Sequence, residues 1–288
     1  MRVAVLGASG QLGSDLVRAF GDRGGYDLVP LGHGDVEVTR ADQVRDVLRD
    51  AAADVVVNCA AYHRVDECES QVDKTFQINS VGSVNVARAC DERGALCVFI
   101  SSDYVFDGAK GAPYVEEDVT SPLNVYGASK LAGEHLLRQG CSRWLVVRVA
   151  SLFGVAGASG KGGNFVEAIL AKGAAGGPVQ VVNDISMSPT YTWDAARGLE
   201  LLVREEAEGL FHLTNGGSTT WHGFASKILE QVGSNVAPEP IESEAQGAKA
   251  RRPKNSSLGS ERASDTVAGI MRDWDDALKH YLVEKGHI

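Results

Sequence analysis

Short runs of Val, Leu and Ile alternate along the chain with longer stretches in which apolar residues recur every three to four positions. The runs at 2–6, 27–31, 54–58, 95–100 and 144–149 are apolar on both alternations, which suits strands buried on two faces. Between them, 11–20, 41–52, 72–91 and 126–138 have helical apolar spacing and mostly polar outer faces. Alternating strand and helix predicts an α/β fold with a doubly wound parallel sheet. After residue 151 the rhythm changes. A Gly/Ala/Ser-rich stretch at 154–163 precedes a short helix, an apolar run at 179–182, a helix over 193–206 and a run at 210–213. This reads as sheet completion by parts of 176–215, interleaved with a smaller C-terminal substrate-binding domain made mainly of 151–175 and 216–288. Helices are predicted over 221–232 and 270–283, with a Pro/Ser/Glu-rich loop over 237–257.

Composition narrows the class. With 288 residues the chain can bury a substantial core. Its 38 acidic and 28 basic residues give a net charge of −10, and the only basic run is the short one at Arg251, Arg252 and Lys254. Nucleic acid is therefore not an expected partner. No leader-like segment opens the sequence, and no apolar run approaches the roughly 20 residues of a membrane span. A cytoplasmic protein with no membrane contact is expected. Cys59, Cys68, Cys90, Cys97 and Cys141 are odd in number and lack CxxC spacing, so free thiols are expected and no metal is assigned.

The candidate chemistry begins directly after the first run. Gly7, Gly10 and Gly13 punctuate a loop between strand and helix, where glycine lets backbone N–H groups approach a pyrophosphate. Gly7, Gly10, Gln11, Leu12 and Gly13 are candidate cofactor contacts, and 1–150 reads as a Rossmann-like NAD(P)-binding domain. A carboxylate at the end of the second strand would bond the ribose hydroxyls and repel a 2′-phosphate. The residues there are Leu31, Gly32, His33 and Gly34, so NADPH is expected, with NADH also accommodated. Asn58 to Tyr62 closes the third strand with small residues. That fits a backbone passing beneath the adenosine half of the cofactor and fits plain tight packing equally well.

Tyr126 and Lys130 lie four apart on a predicted helix, hence on one face, where an ammonium can hold down a phenol's pKa. The fourth strand ends in Ser101-Ser102-Asp103-Tyr104, at the edge where open α/β sheets place ligands. Together they predict hydride transfer to a ketone. Tyr126 would donate the proton, Ser102 would bond the carbonyl oxygen, and Lys130 would hold the nicotinamide ribose and tune the phenol.

These residues resemble the extended short-chain dehydrogenase/reductase family, and within it the dTDP-4-dehydrorhamnose reductase group. The resemblance is carried in order by Gly10-Gln11-Leu12-Gly13, Val57 to Tyr62, Val65-Asp66 with Glu69-Ser70, Ile100 to Gly108, Pro122 to Glu134, Ser188 to Thr192 and Arg252 to Ser256. It covers residues 1 to about 260. It implies NAD(P)H-dependent reduction at C4 of a nucleotide-linked 4-keto-6-deoxyhexose, with Ser102, Tyr126 and Lys130 catalytic. Glu37, Val38, Ala60, Ala61 and Tyr62, with His63, would contact the cofactor. Val65, Ser102, Asp103, Tyr104, Ser151 and Asn164 would contact the substrate. The sequence leaves the oligomeric state open, a homodimer being the commonest closed assembly.

Departures from the group's pattern bear on the substrate. Ser151 stands where the group carries a Trp that holds the sugar nucleotide, and Ile185-Ser186-Met187 replaces a more polar segment. The 154–163 stretch is longer than is usual in the group. A different deoxysugar from the rhamnose precursor fits these changes as well as the precursor does. Asp15 matches a position that is acidic in members linked to Mg2+ and dimerisation, but a first-turn Asp also suits a helix N-terminus, so no metal ligand is assigned. Two other activities stay open. One is a sugar-nucleotide epimerase or dehydratase that recycles its cofactor; the other is an NADP-binding regulatory subunit like methionine adenosyltransferase β.

Overall fold

The computed structural model describes residues 1–158 and 163–288. Residues 159–162 of the Gly/Ala/Ser-rich stretch lie outside the described residues.

The five early apolar runs form β1 (Arg2–Leu6), β2 (Asp27–Leu31), β3 (Val55–Asn58), β4 (Leu96–Ser102) and β5 (Trp144–Val149). They join a sixth strand, Gly209–His212, in one parallel sheet of order Gly209–His212, β5, β4, β3, β1, β2. Every residue of β4 is buried, from its apolar run Leu96 to Ile100 through Ser101 and Ser102. One face of the sheet packs on helices α1 (Gln11–Arg23) and Thr192–Arg204, with Leu12, Leu16, Phe20, Leu199 and Leu202 in one core. The other face packs Val44 and Leu48 of α2 (Ala41–Ala51) together with Val86, Phe99 and Leu137. A third core gathers Phe153, Ile169, Tyr191, Phe224, Ile228, Leu278 and Tyr281 from the later chain.

Three sequence expectations change. The 72–91 helix is interrupted by a π-helical turn at Gln77–Val81, between α-helices Val72–Phe76 and Gly82–Asp91. The apolar run at 179–182 does not join the main sheet: Gln180–Val182 pairs in parallel with Glu239–Ile241, inside the region expected to be a loop. The last helix, expected over 270–283, spans Trp274–Glu284 and is preceded by a separate short helix, Asp265–Ile270. An apolar run says that a strand is buried, not against which partner, which is why the second of these was illegible. Among the described residues no helix is long and apolar enough to cross a membrane.

Candidate active site

The strand order reverses between β1 and β3, the position at which open α/β sheets form a crevice beyond their carboxyl ends. β1 delivers the chain to Gly7, whose φ of +77° lies in the left-handed region that glycine enters freely. Its N–H donates to Leu31 O at 2.8 Å, folding the loop over the end of β2. A Cβ on Gly13 would stand 2.1 Å from Gly7 O, so α1 can begin this close to the loop only with glycine there. The helix starts after Gly10 without a side-chain cap. Its first N–H groups and positive dipole end thus remain available to an anion. This cradle fits a dinucleotide pyrophosphate.

A cleft of about 1420 Å3 runs from this loop, past the ends of β3 and β4, to the third core. Gly7, Gly10, Gln11, Leu12 and Gly13 line one end, with Glu37, Val38, Ala60, Ala61, Tyr62 and His63 beside them. Ser102, Asp103, Tyr104, Tyr126 and Lys130 line its middle, and Val65, Ser151 and Asn164 also face it. Every site residue expected from the sequence therefore borders one cavity. At its cofactor end Gly32 and His33 line the wall as expected, but a carboxylate does reach β2: Asp35 accepts the Gly32 N–H at 2.7 Å. A tight turn returns it from three residues on.

The central cluster depends on close backbone approach. Asn124 caps the helix Val125–Gly140 by accepting the Gly127 N–H at 2.8 Å. A Cβ on Gly127 would lie 2.0 Å from Tyr104 O, so the first turn of this helix rests directly on the 3-10 turn Asp103–Val105. Tyr126 and Tyr104 thereby meet edge to face, centroids 6.0 Å apart. Ser102 Oγ accepts the Tyr104 N–H at 3.2 Å and donates to Asp103 Oδ1 at 2.8 Å. Deeper in the helix, Gly133 lets Asn79 of the π-turn approach. Asn79 bonds Ser129 Oγ at 2.9 Å and both backbone groups of Tyr62, at 2.8 and 3.1 Å, tying the cofactor-side loop to the helix that carries Tyr126.

Burial governs the charges. It raises the Tyr126 phenol above its ordinary value, against a hydrogen bond with Ser102 and with help from the charge of Asp103. Burial also pulls the Lys130 ammonium down to about 7, opposed by Glu134 one turn along. This corrects the expectation that Lys130 holds the phenol pKa down. Desolvation is the largest influence on each, and Lys130 is not among the groups that move the phenol. Asp103 is pushed up to about 6 by burial, with Ser256 and Ser102 pulling the other way. Glu134 is fixed behind the site by Arg148, whose Nε and Nη2 donate to it at 2.9 and 2.8 Å.

Two substrate-side expectations are altered. The Asn164 amide donates to Gly154 O and Tyr281 Oη, while its oxygen caps Glu167 N–H at 3.2 Å. Its donors are spent on the framework, and a single acceptor lone pair remains. Ser151 has φ +43°, a strained conformation for a residue with a Cβ. Phe165 and Trp221, centroids 4.6 Å apart, put an aromatic surface on the cleft wall. Sequence reading missed them because they come from helices 56 positions apart. It also missed Lys74, which lines the cleft with its ammonium 4.6 Å from the Tyr62 ring, and Asn79, although a buried Asn within an apolar helical face was a signal available to be read. Arg252 was quoted only as a motif residue; it pairs with Asp66 at 2.9 Å and bonds Tyr104, so the late chain props the centre of the site.

Among the described residues no cluster of His, Cys, Asp and Glu could hold a metal. Asp15 is buried and accepts a hydrogen bond from Thr192. The five cysteines are free thiols, with only Cys59 reaching the cleft.

The chain is 36% identical over 284 residues to the spore coat polysaccharide biosynthesis protein SpsK of Bacillus subtilis, covering 99% of this chain and 98% of that one. A crystal structure of a dTDP-4-dehydrorhamnose reductase from Clostridium acetobutylicum matches with a TM-score of 0.93 at 34% identity, covering 99% of both chains. The Bacillus anthracis dTDP-4-dehydrorhamnose reductase in complex with NADP matches with a TM-score of 0.90 at 33% identity, over 98% of this chain and 99% of that one. The model of the RmlD substrate binding domain spans residues 1–286, and the chain belongs to that family.

Proposed function

We propose that this protein is an NADPH-dependent reductase acting on the C4 ketone of a dTDP-linked 4-keto-6-deoxyhexose, dTDP-4-dehydrorhamnose or a related deoxysugar. The observation that carries this reading is the meeting of Ser102, Tyr126 and Lys130 in the cleft whose other end is the Gly7 to Gly13 cradle. The relatives named as dTDP-4-dehydrorhamnose reductases, one of them in complex with NADP, support it. A nicotinamide dinucleotide bound with its pyrophosphate at Gly10 to Gly13 supplies the hydride.

The chain's own residues do the rest. Tyr126, kept protonated by its burial, donates the phenolic proton to the oxygen that becomes an alkoxide. Ser102 directs the carbonyl toward it, and Lys130 bonds the nicotinamide ribose. Phe165 and Trp221 hold the sugar nucleotide on the far side. Closure of the reaction within a deep cleft keeps water from the phenol and strengthens each polar contact. NADPH is the preferred donor, since Asp35 is tied back to Gly32 and does not border the cleft. A cytoplasmic site of action and a homodimeric assembly complete the proposal.

The test is nicotinamide oxidation with enzymatically generated dTDP-4-keto-6-deoxyhexoses of both C5 configurations. One equivalent of NADPH consumed per sugar is expected. Conversion of the sugar without net cofactor loss would support an epimerase or dehydratase. Tight cofactor binding without conversion would support a regulatory subunit.

A further inference from the structure

A proton donor must be recharged before the next turnover, and Tyr126 is half-buried in the cleft wall beside Ser102, Asp103 and Tyr104. Ser102 Oγ sits between the two groups that matter: it lies close enough to the phenol to oppose the rise in its pKa, and it donates to Asp103 Oδ1 at 2.8 Å. Asp103 is 97% buried, as only 3% of its surface is exposed, and its Oδ2 is buried without a hydrogen-bond partner although the residue borders the cleft. An unpaired buried carboxylate oxygen is costly unless it is protonated or used.

We propose that Asp103 and Ser102 form a proton relay that restores the phenol of Tyr126 after each reduction. The inference rests on the reductase reading. In the step, the Ser102 O–H bond breaks as the Tyr126 O–H bond forms. The Asp103 O–H bond breaks as that of Ser102 is remade, and Asp103 is left as a carboxylate. It takes its next proton from solvent entering the cleft between turnovers. No electrons change hands in the relay. Burial holding the Asp103 carboxyl near 6 keeps an acid form accessible close to neutral pH. The groups facing it are Tyr104 and Tyr126, with Arg252 and Asp66 beyond Tyr104.

Asp103→Asn keeps an acceptor for Ser102 and removes the proton carrier. The expected result in stopped flow is a first turnover of nicotinamide oxidation faster than the same variant's later ones, with steady turnover slowed about tenfold or more. In the cofactor-free wild-type protein, 13C NMR of labelled Asp side chains should reveal a carboxyl titrating near 6 that is absent from D103N. Should D103N fold poorly, Ser102→Ala severs the same relay and should likewise give a burst above its own steady rate. Equal slowing of first and later turnovers, a rise in KM at constant kcat, or an Asp103 ionised throughout pH 5–8 would overturn the relay. Wild-type protein inert toward every keto sugar would instead overturn the reductase reading, and the relay with it.

Discussion

Removing the phenol oxygen of Tyr126 takes away a proton and no contact to the pyrophosphate cradle. Tyr126→Phe should therefore lower kcat by about 10²- to 10⁴-fold while NADPH binding, measured by fluorescence titration, stays at the wild-type level. Asp103 makes a separate prediction about stability. Its carboxyl titrates near 6 in the folded protein against 3.8 as its ordinary value. Ionisation thus costs the folded state nothing below about pH 3.8, increasingly more through the interval, and a constant amount above about pH 6. Asp103→Asn should accordingly stabilise the protein by about 2 kcal/mol more at pH 7.5 than at pH 4.5 in urea unfolding. An advantage independent of pH would contradict the assigned environment. At this scale the sequence was informative about identities and silent about charge states. Tyr126 and Lys130 could be placed on one helical face from their spacing, but the burial that reverses their expected mutual tuning belongs to the packed structure.

Elements meet here through glycine. Gly127→Ala would press a methyl group against the Tyr104 carbonyl, and neither backbone can yield without moving Tyr126 away from Ser102. A stability loss of about 2–3 kcal/mol and a fall in kcat of at least about tenfold are expected. Gly140→Ala, at the far end of the same helix and facing side chains at 3.1 Å or more, is the control that should do neither. The strands of the main sheet were legible almost residue by residue, because each is an apolar run bounded by turn residues. The π-turn at Gln77–Val81 was not: its residues keep helical spacing, and the extra residue per turn is imposed by Asn79 reaching both Tyr62 and Ser129.

Across the whole molecule, the cleft draws one wall from the sheet and the other from the third core. The sheet side could be anticipated, since its motifs are local. The opposite wall could not, since Phe165 and Trp221 acquire meaning only when two distant helices pack. Trp221→Ala should raise KM for the sugar nucleotide about tenfold and leave kcat and cofactor affinity near wild type; an unchanged KM would remove this ring pair from the substrate site.

The segment around Arg252 threads between the two walls. Asn124 donates to Arg251 O, Arg252 grips Asp66, Lys254 pairs with Asp184, and Ser256 N–H donates to Ser186 O. The chain is synthesised from its N-terminus, so Ser102, Tyr126 and Lys130 leave the ribosome more than a hundred residues before the strap that braces their neighbour Tyr104. Competence is thus a late event in folding, closed by contacts between residues far apart in sequence, which form slowly. In refolding from urea, helical circular dichroism should recover ahead of activity, and the lag between them measures the seating of that strap.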